Sequence, residues 1–470
     1  MRRHMRRYLL LFLILNGCAN THPKPGGSYL GLLAMPGITY HIFLDNQGAV
    51  PVLYNATFKG DPFPLDTIYF SGDSLHFRMK EYYSEYKGRF DPATNRIEGI
   101  WIDEDSQAHP LHFKAVMPDT VSGLHPRSSP VYTYEKPALM EDGIKTNTRE
   151  AQKLSSAGMD SVITHLANGK FKDVHSLLVA RNNELVVEEY FYRINRDKVY
   201  NIQSATKSVV SALTGIAIGK KEIRNTQQTL CTSLPGYEKW TCDEKHKTIT
   251  LHQLLTMSTG IEWDEQTYDY VDDRNSLVKA SSDSDQFIHL LLLPRNTKTT
   301  PIFAYNSLNH ILMNGVLRHA THMENKDELK TRLLQPLGIE NYYIAEPTPM
   351  GAIGDIDLRP RDMLKFGLLY ANQGRWNGKQ VVPANWVTES TQPKIQPRPG
   401  LGYGYFWWTK DFEHKEKTVS SFFAWGYGGQ YIFVVPALQL VVVMSGSHWG
   451  TDPVDQGVPI MEEILAAVDE

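Results

Sequence analysis

Two groups of strand-forming segments, at opposite ends of a long region, limit what this 470-residue chain can fold into. The segment "VHSLLVARNNELVVEEYF" contains two β-branched runs around Asn182-Asn183, a pattern typical of a hairpin. Near the C-terminus, "FFAWGYGGQYIFVVP" and "LQLVVVMSG" indicate buried strands, and mostly helical and loop segments lie between the two groups. The pattern predicts one mixed α+β domain over residues 148–470, in which an antiparallel sheet flanked by helices joins both ends.

The segment before this region has a different character. Residues 28–117 contain short alternating runs separated by turn signals, as in "YKGRFDPATNRIEGIWIDEDSQAHPLHFKAV". Such spacing predicts a small antiparallel β domain. Residues 118–147 are rich in proline, serine and charged residues, which indicates a linker between the two domains.

The extreme N-terminus is typical of an export signal. "MRRHMRRYLLLFLILNGC" is a basic stretch followed by an apolar run too short to span a bilayer. Its end resembles the lipobox of bacterial lipoproteins, which predicts a signal peptide over residues 1–17, a lipidated Cys18 and a tether over residues 18–27. Ala19 resembles the outer-membrane sorting pattern, so we expect an anchor in a Gram-negative cell envelope, facing the periplasm. The alternative is a plain secretory signal with an incidental cysteine.

Charge and cysteine content narrow the possible partners. The net charge is only −4 and no long Lys/Arg run follows the N-terminus, which argues against nucleic acid. The two remaining cysteines, Cys231 and Cys242, flank "TSLPGYEKWT". Export would place them in an oxidising compartment, so we predict a structural disulfide rather than a metal site.

A serine three residues before a lysine marks the candidate reaction centre. Downstream of Ser204, apolar residues recur at helical spacing, so Ser204 and Lys207 fall on one face at a helix start. Of the other two serine–lysine pairs at this spacing, Ser84…Lys87 lies in a tyrosine-rich strand pattern and is interpreted as surface. Ser276…Lys279 lies in a polar acidic stretch. The S-x-x-K pattern occurs as Ser84…Lys87, Ser204…Lys207 and Ser276…Lys279.

The chemistry of this pair is plausible because a serine hydroxyl is a weak nucleophile that needs an adjacent base. A lysine in a desolvated cleft has a lowered proton affinity and could help to supply that base. The alternative is structural: Ser204 could cap the helix while Lys207 lies on the surface.

Several motifs in order connect this stretch to a known family. "YNIQSATKSVVSALTGIAIGKKEI", "FAYNSLNHIL" and "AWGYGGQYIFVVP" resemble the serine hydrolases related to class C β-lactamases, DD-peptidases and 6-aminohexanoate-dimer hydrolase, over residues 145–470. The resemblance implies that Ser204 is the nucleophile, Lys207 its base partner and Tyr305 the general base and acid. It implies no cofactor. The role of Tyr305 requires a pKa pulled far below the value of about 10 for free tyrosine.

The resemblance also implies a third element, K-T-G or H-x-G, on an edge strand of the sheet. Here Ala424 stands where relatives that recognise β-lactams carry Lys or His, and alanine cannot engage a substrate carboxylate. Gly426 would let the strand approach the substrate closely. The N–H groups of Ser204 and Tyr427 would form the oxyanion hole. Ser307 would hydrogen-bond Lys207 or the substrate.

Three hypotheses follow. The first is an exported serine hydrolase that forms an acyl-enzyme on Ser204 and cleaves small-molecule carboxylic esters or amides. The second keeps the fold but assigns it to peptidoglycan peptides or β-lactams, as a DD-peptidase or β-lactamase. The third is an inactive binding or scaffold protein. The chain contains neither G-x-S-x-G nor H-E-x-x-H, which argues against an α/β-hydrolase and a zinc protease.

Overall fold

The computed structural model divides the chain into two compact units, residues 1–121 and 122–470. In the described part of the chain, no helix is long and apolar enough to cross a membrane. Cys18, the expected signal peptide and nearly all of the tether lie outside the described residues. These are residues 26–35, 38–46, 51–55, 65–79, 84–103, 106–116, 132–171, 173–191, 194–268, 272–281, 283, 285–296, 302–344, 352–448 and 454–469.

The first unit is built on one antiparallel sheet of eight strands. The strands are β1 (Gly27–Met35), β2 (Ile38–Asn46), β3 (Val52–Asn55), β4 (Thr67–Ser71), β5 (Ser74–Met79), β6 (Ser84–Asp91), β7 (Arg96–Ile102) and β8 (Ala108–Val116). Their order is β3-β2-β1-β8-β7-β6-β5-β4, so β1 pairs with β8 and joins the start of the unit to its end. The predicted all-β region before the α+β domain is confirmed.

Strand β6 explains why Ser84 and Lys87 do not form a reactive pair. Residues three apart on a strand point to opposite faces of the sheet. Ser84 is accordingly buried, not on the surface as predicted, while Lys87 is exposed and forms an ion pair with Glu85 at 3.0 Å.

The second unit contains a nine-stranded sheet in which all neighbouring strands are antiparallel except β9, which pairs in parallel with β11. Its strands and those of two small sheets are β9 (Lys145–Thr146), β10 (Val174–Arg181), β11 (Glu184–Tyr190), β12 (Tyr200–Asn201), β13 (Tyr343–Ile344), β14 (Ile356–Leu358), β15 (Arg375–Trp376), β16 (Lys379–Gln380), β17 (Ile395–Arg398), β18 (Leu401–Tyr403), β19 (Trp408–His414), β20 (Lys417–Gly426), β21 (Gln430–Val435) and β22 (Leu440–Gly446). The large sheet has the order β17-β18-β19-β20-β21-β22-β10-β11-β9. Because β10 pairs with β22, the sheet joins the two ends of the region as predicted.

Helices cover this sheet and complete the α+β fold. Helix α10 lies so close to β22 that a Cβ on Gly367 would be 2.6 Å from the Val441 side chain. Helices α1 and α12 are joined by a hydrogen bond between His165 Nδ1 and Glu463 Oε2 at 2.8 Å. The helices are α1 (Ser156–Ala167), α2 (Thr206–Gly219), α3 (Leu230–Ser233), α4 (Glu238–Thr241), α5 (Leu251–Leu255), α6 (Ser276–Ser281), α7 (Gln286–Leu292), α8 (Leu308–Thr321), α9 (Asn325–Leu329), α10 (Pro360–Ala371), α11 (Ala384–Ser390) and α12 (Val454–Ala466).

The second half of the expected linker, residues 118–147, is part of the second unit and not a free connection. Residues 132–147 belong to the second unit, where β9 pairs in parallel with β11. Asp142 forms an ion pair with the buried Arg361 at 2.7 Å. A charged, proline-rich composition therefore does not exclude packing when a charged side chain has a buried partner.

The two cysteines of the second unit lie on neighbouring short helices. Cys231 on α3 and the residue that ends α4, Cys242, are joined by a disulfide. The bond closes a surface loop and lies outside the catalytic residues described below.

Three contacts hold the backbone before Ser204 in place: the pairing of β12 with β14, a hydrogen bond from Gln203 to the Asn201 side chain, and the approach of β20. Strand β12 pairs with β14, the Asn201 side chain accepts the Gln203 N–H at 2.8 Å, and Gln203 adopts a φ of 52°. Strand β20 also ends here: a Cβ on Gly426 would lie 2.1 Å from the Ile202 carbonyl oxygen. Glycine is therefore required at this position by contact with protein backbone, a different partner from the expected substrate.

We expect Gly426→Ala to disturb the backbone that presents Ser204. Since the new methyl group overlaps the Ile202 oxygen, either the end of β20 or the turn before Ser204 must move. Misplacement of a reacting group by about 1 Å lowers the rate by roughly 100-fold. We expect a loss of that order in the rate of Ser204 labelling by a fluorophosphonate probe. Gly26→Ala is the control, because a Cβ there meets nothing within 4 Å. An unchanged labelling rate in Gly426→Ala would show that the contact between Gly426 and Ile202 does not determine the position of Ser204.

Candidate active site

Ser204 and Lys207 meet at the start of the central helix α2. Ser204 lies in a 3₁₀ turn, Gln203–Ala205, that leads directly into α2, and Lys207 follows one turn later. The Lys207 Nζ donates to Ser204 Oγ at 3.0 Å. Ser204 is half-buried, whereas Lys207 is only 3% exposed. The structure thus places the predicted nucleophile and its base partner in contact, with the nucleophile on the more accessible side.

Burial sets the proton affinity of Lys207. Removal from water lowers the pKa of its amine, while the negative charges of Glu265 and Asp355 act in the opposite direction. The net direction is downward because desolvation is the largest contribution. A lysine of this kind holds a neutral amine more readily than a surface lysine does, as a base for Ser204 requires.

Tyr305 contacts the same two groups. It lies two residues before Ser307, which precedes α8, and its hydroxyl is hydrogen-bonded to the Ser204 side chain. The Lys207 Nζ is 4.9 Å from the centre of the Tyr305 ring. The three residues predicted to perform the chemistry therefore form one cluster.

The direction of the Tyr305 pKa differs from the sequence-based expectation. Burial raises this pKa, and the negative charges of Glu265 and Asp355 raise it further, although the bond with Ser204 lowers it in part. The expected strong lowering by Lys207 does not prevail, because the phenolate would be desolvated among carboxylates. The pKa of Tyr305 is thus shifted away from the low value that a phenolate base requires, whereas the pKa of Lys207 is shifted towards that of a neutral amine.

Ser307 links Lys207 to a carboxylate that the sequence analysis missed. The Lys207 Nζ donates to Ser307 Oγ at 3.4 Å, and this hydroxyl donates to Glu265 Oε1 at 2.7 Å. The Ser307 backbone N–H donates to Glu265 Oε2 at 2.8 Å. Glu265 follows "IEWD" in a polar run that resembles a solvated loop, so no local signal distinguishes it from an exposed glutamate.

A second acidic group, Asp355, was also missed. It lies just before β14, and its side chain is hydrogen-bonded to Asn201. Burial raises its pKa, and the positive charge of Lys207 opposes that change. The charge of Asp355 therefore raises the pKa of Lys207 in part. The hydrogen bond to Asn201 also connects Asp355 to the backbone segment before Ser204.

The strand that carries Ala424 and Gly426 contributes aromatic rings instead of a cation. Ala424 is buried and pairs with Ile432 on β21. The neighbouring Trp425 is half-buried, with its ring 5.2 Å from that of Trp408. We call Phe303, Trp408 and Trp425 the aromatic wall.

The aromatic wall reaches the catalytic cluster. The ring of Trp408 stacks on that of Tyr305 at 5.9 Å, and the Phe303 ring is 5.9 Å from Trp408. Tyr427 directly follows Gly426, whose backbone adjoins Ile202. The structure therefore brings Ser204, Lys207, Tyr305, Ser307 and Gly426 into one region and leaves the disulfide elsewhere. Within the described ranges, no cluster of His, Cys, Asp or Glu suited to a metal ion is present.

Comparisons with known proteins agree with this geometry. The family model described as Beta-lactamase matches residues 174–460. An uncharacterised protein of Alkalihalophilus pseudofirmus is 22% identical over 290 residues, covering 59% of this chain and 84% of the relative.

Solved structures share the fold. A protein from Bacillus anthracis, assigned as a 6-aminohexanoate-dimer hydrolase, is 21% identical with a TM-score of 0.52, covering 62% of this chain and 79% of its own. A protein from Bacteroides dorei, assigned as a β-lactamase, is 17% identical with a TM-score of 0.53, covering 67% and 100%. Because the family match spans more than half of the chain and includes Ser204, Lys207 and Tyr305, this protein belongs to the β-lactamase family of serine hydrolases.

Proposed function

We propose that the protein hydrolyses carboxylic esters or small amides through an acyl-enzyme on Ser204. The observation that carries this proposal is the contact of two groups with one hydroxyl. The buried Lys207 amine lies 3.0 Å from Ser204 Oγ, and the Tyr305 hydroxyl is hydrogen-bonded to the same side chain. A hydroxyl with one neighbour suited to accept its proton and another suited to donate one has the parts required for acyl transfer.

The proposed steps follow from the directions of the two pKa shifts. Neutral Lys207 accepts the Ser204 proton as Oγ attacks the substrate carbonyl carbon. Tyr305, which retains its proton, donates it to the leaving oxygen or nitrogen as the bond to the carbonyl carbon breaks, and Lys207 returns a proton to Tyr305. Water then attacks the acyl-enzyme by the same proton route in reverse. The backbone N–H groups of Ser204 and Tyr427 are the proposed donors to the oxyanion.

The aromatic wall and Ala424 support an uncharged substrate. A β-lactam or peptidoglycan peptide presents a carboxylate, and Ala424 offers it no charge or hydrogen-bond donor. Aromatic rings beside Tyr305 instead bury apolar surface. The carboxyl groups of Glu265 and Asp355 add no attraction for an anion. Neutral esters or amides with apolar groups suit these surroundings best.

We also propose that the protein is anchored in the cell envelope through a lipid on Cys18, as its N-terminal sequence indicates. The disulfide between Cys231 and Cys242 supports export, since such bonds persist in oxidising compartments.

Ser204→Ala should abolish the proposed chemistry. Without the nucleophile, hydrolysis of p-nitrophenyl acetate should fall by about 1,000-fold or more, and fluorophosphonate labelling should disappear. Ser84→Ala is the control, because it alters the serine of another S-x-x-K sequence, located in the first unit. Retained labelling in Ser204→Ala would refute the assignment.

A substrate series should separate the two hydrolase hypotheses. The uncharged aromatic wall predicts that kcat/KM for p-nitrophenyl butyrate exceeds that for a chromogenic cephalosporin by about 100-fold or more, equivalent to about 3 kcal/mol. Wild-type protein should remain unlabelled by a fluorescent penicillin. Stoichiometric penicillin labelling on Ser204 would instead favour the DD-peptidase or β-lactamase hypothesis.

The proposed anchor is tested by metabolic labelling with a tagged palmitate. Full-length protein expressed in a Gram-negative host should incorporate the label and fractionate with membranes. Cys18→Ser should lose both properties, because it removes the thiol that would be lipidated. Equal palmitate incorporation in the two proteins would exclude Cys18 as the site.

A further inference from the structure

A directed chain of hydrogen bonds runs from Lys207 to a buried carboxylate. The Lys207 Nζ donates to Ser307 Oγ at 3.4 Å, and Ser307 Oγ donates to Glu265 Oε1 at 2.7 Å. Glu265 is 1% exposed. Its other oxygen accepts the Ser307 N–H at 2.8 Å and the Trp263 Nε1–H at 2.7 Å. Each of these groups donates to a carboxyl oxygen, and together they oppose the rise that burial causes in the pKa of Glu265.

The direction of this chain has a consequence for the lysine. A carboxylate only accepts hydrogen bonds, so the single hydroxyl hydrogen of Ser307 is committed to Glu265. Ser307 Oγ can therefore only accept from Lys207. A neutral amine has two N–H groups and one lone pair. In the observed arrangement Lys207 donates to both Ser204 Oγ and Ser307 Oγ. In the neutral amine, with one N–H kept on Ser307, the lone pair can turn to the Ser204 hydroxyl, whose oxygen lies 3.0 Å away.

We propose that Glu265 is a positioning residue: by accepting the Ser307 hydroxyl hydrogen, it fixes the orientation in which Lys207 deprotonates Ser204. The proposal rests on the proposed function, in which Ser204 is the nucleophile. Glu265 touches no reacting atom. It acts through Ser307 on the base.

The same carboxylate also holds the segment that carries Tyr305. Its bond to the Ser307 backbone fixes the chain two residues after Tyr305, at the start of α8. Trp263 fixes the carboxylate from its own segment through the indole N–H. One buried side chain thus sets the position of the proton acceptor and of the proton donor.

The charge of Glu265 should also affect the pH dependence of the activity, through the pKa of Lys207. Glu265 is one of two carboxyl groups that oppose the lowering of the Lys207 pKa by burial. Removing its charge should lower that pKa further, so the limb on which activity rises as Lys207 loses its proton should move to lower pH. The titratable groups that face Lys207 or Glu265 are Asp355, Tyr305, His310 and Tyr403.

The decisive variant is Glu265→Gln, which keeps the shape of the side chain. The amide can donate to Ser307 Oγ and so reverse the chain, directing the Ser307 hydrogen towards the lysine lone pair. We expect the fluorophosphonate labelling rate of Ser204 and kcat for p-nitrophenyl acetate to fall by about 100-fold, the usual scale for impaired general base catalysis. KM should change by less than about threefold. The ascending limb of the pH profile should move to lower pH.

Matched variants separate positioning from folding. Glu262→Gln alters an exposed glutamate of the same segment and should leave rate and pH profile unchanged. Glu265→Asp keeps an accepting carboxylate and should recover at least about 10-fold of the loss. Ser307→Ala removes the middle link. Combined with Glu265→Gln, it should add little further loss, because both changes break one chain.

The outcomes distinguish this proposal from the proposed function. A Glu265→Gln protein that unfolds at lower temperature yet keeps the wild-type pH limb would show a structural role only and overturn the proposal. Wild-type labelling without ester or amide turnover would refute hydrolysis, while the labelling rates would still decide the role of Glu265. Wild-type protein that fails to label would overturn both.

Discussion

The desolvation of one lysine is the constraint on which the rest of the site depends. An ammonium group withdrawn from water is costly unless it is paired or becomes neutral. Lys207 is held between Ser204, the Tyr305 ring and Ser307, with the charges of Glu265 and Asp355 nearby. These contacts offset enough of the desolvation to keep the residue buried, while its pKa still falls below that of a surface lysine. The result is an amine of lowered proton affinity beside Ser204, as the proposed mechanism requires.

This arrangement requires a rigid surround, which the fold supplies by joining distant parts of the chain. Helix α2 is buried along nearly its whole length and carries Lys207 on its first turn. The turn before it is fixed by β14 and by the end of β20, which come from much later in the sequence. Since β20 lies between β19 and β21 inside the large sheet, not at its edge as expected from the sequence, displacement of Ser204 would require displacement of the end of an interior strand. The position of the nucleophile is thus a property of the whole domain.

Local spacing explains which parts of the site the sequence predicts. Ser204 and Lys207 precede apolar residues at helical spacing, so the S-x-x-K pattern there corresponds to one helical turn and places the two side chains together. Tyr305 and Gly426 follow from the order of motifs. Glu265 and Asp355 could not be identified from the sequence. Glu265 lies in a polar run that resembles a solvated loop, Asp355 lies in the short segment "AIGDIDL", and neither local pattern shows that the fold brings the carboxyl group to Lys207. Whether the Tyr305 pKa meets the requirement of a base could not be judged from the sequence for the same reason: this pKa depends on burial and on those two charges.

The opposite pKa shifts within the cluster have one physical origin. Burial favours the neutral form of every titratable group, so it lowers the pKa of Lys207 and raises the pKa values of Tyr305, Glu265 and Asp355. These two directions agree with the proposed first step of acylation, in which Lys207 accepts a proton and Tyr305 donates one. The charges of Lys207 and of the two carboxyl groups oppose these shifts: negative charge on Glu265 and Asp355 raises the pKa of Lys207, and positive charge on Lys207 lowers theirs. In the proposed mechanism, the proton affinity of Lys207 therefore depends on a balance between desolvation and nearby negative charge, and the hydrogen bonds through Ser307 orient the lysine lone pair.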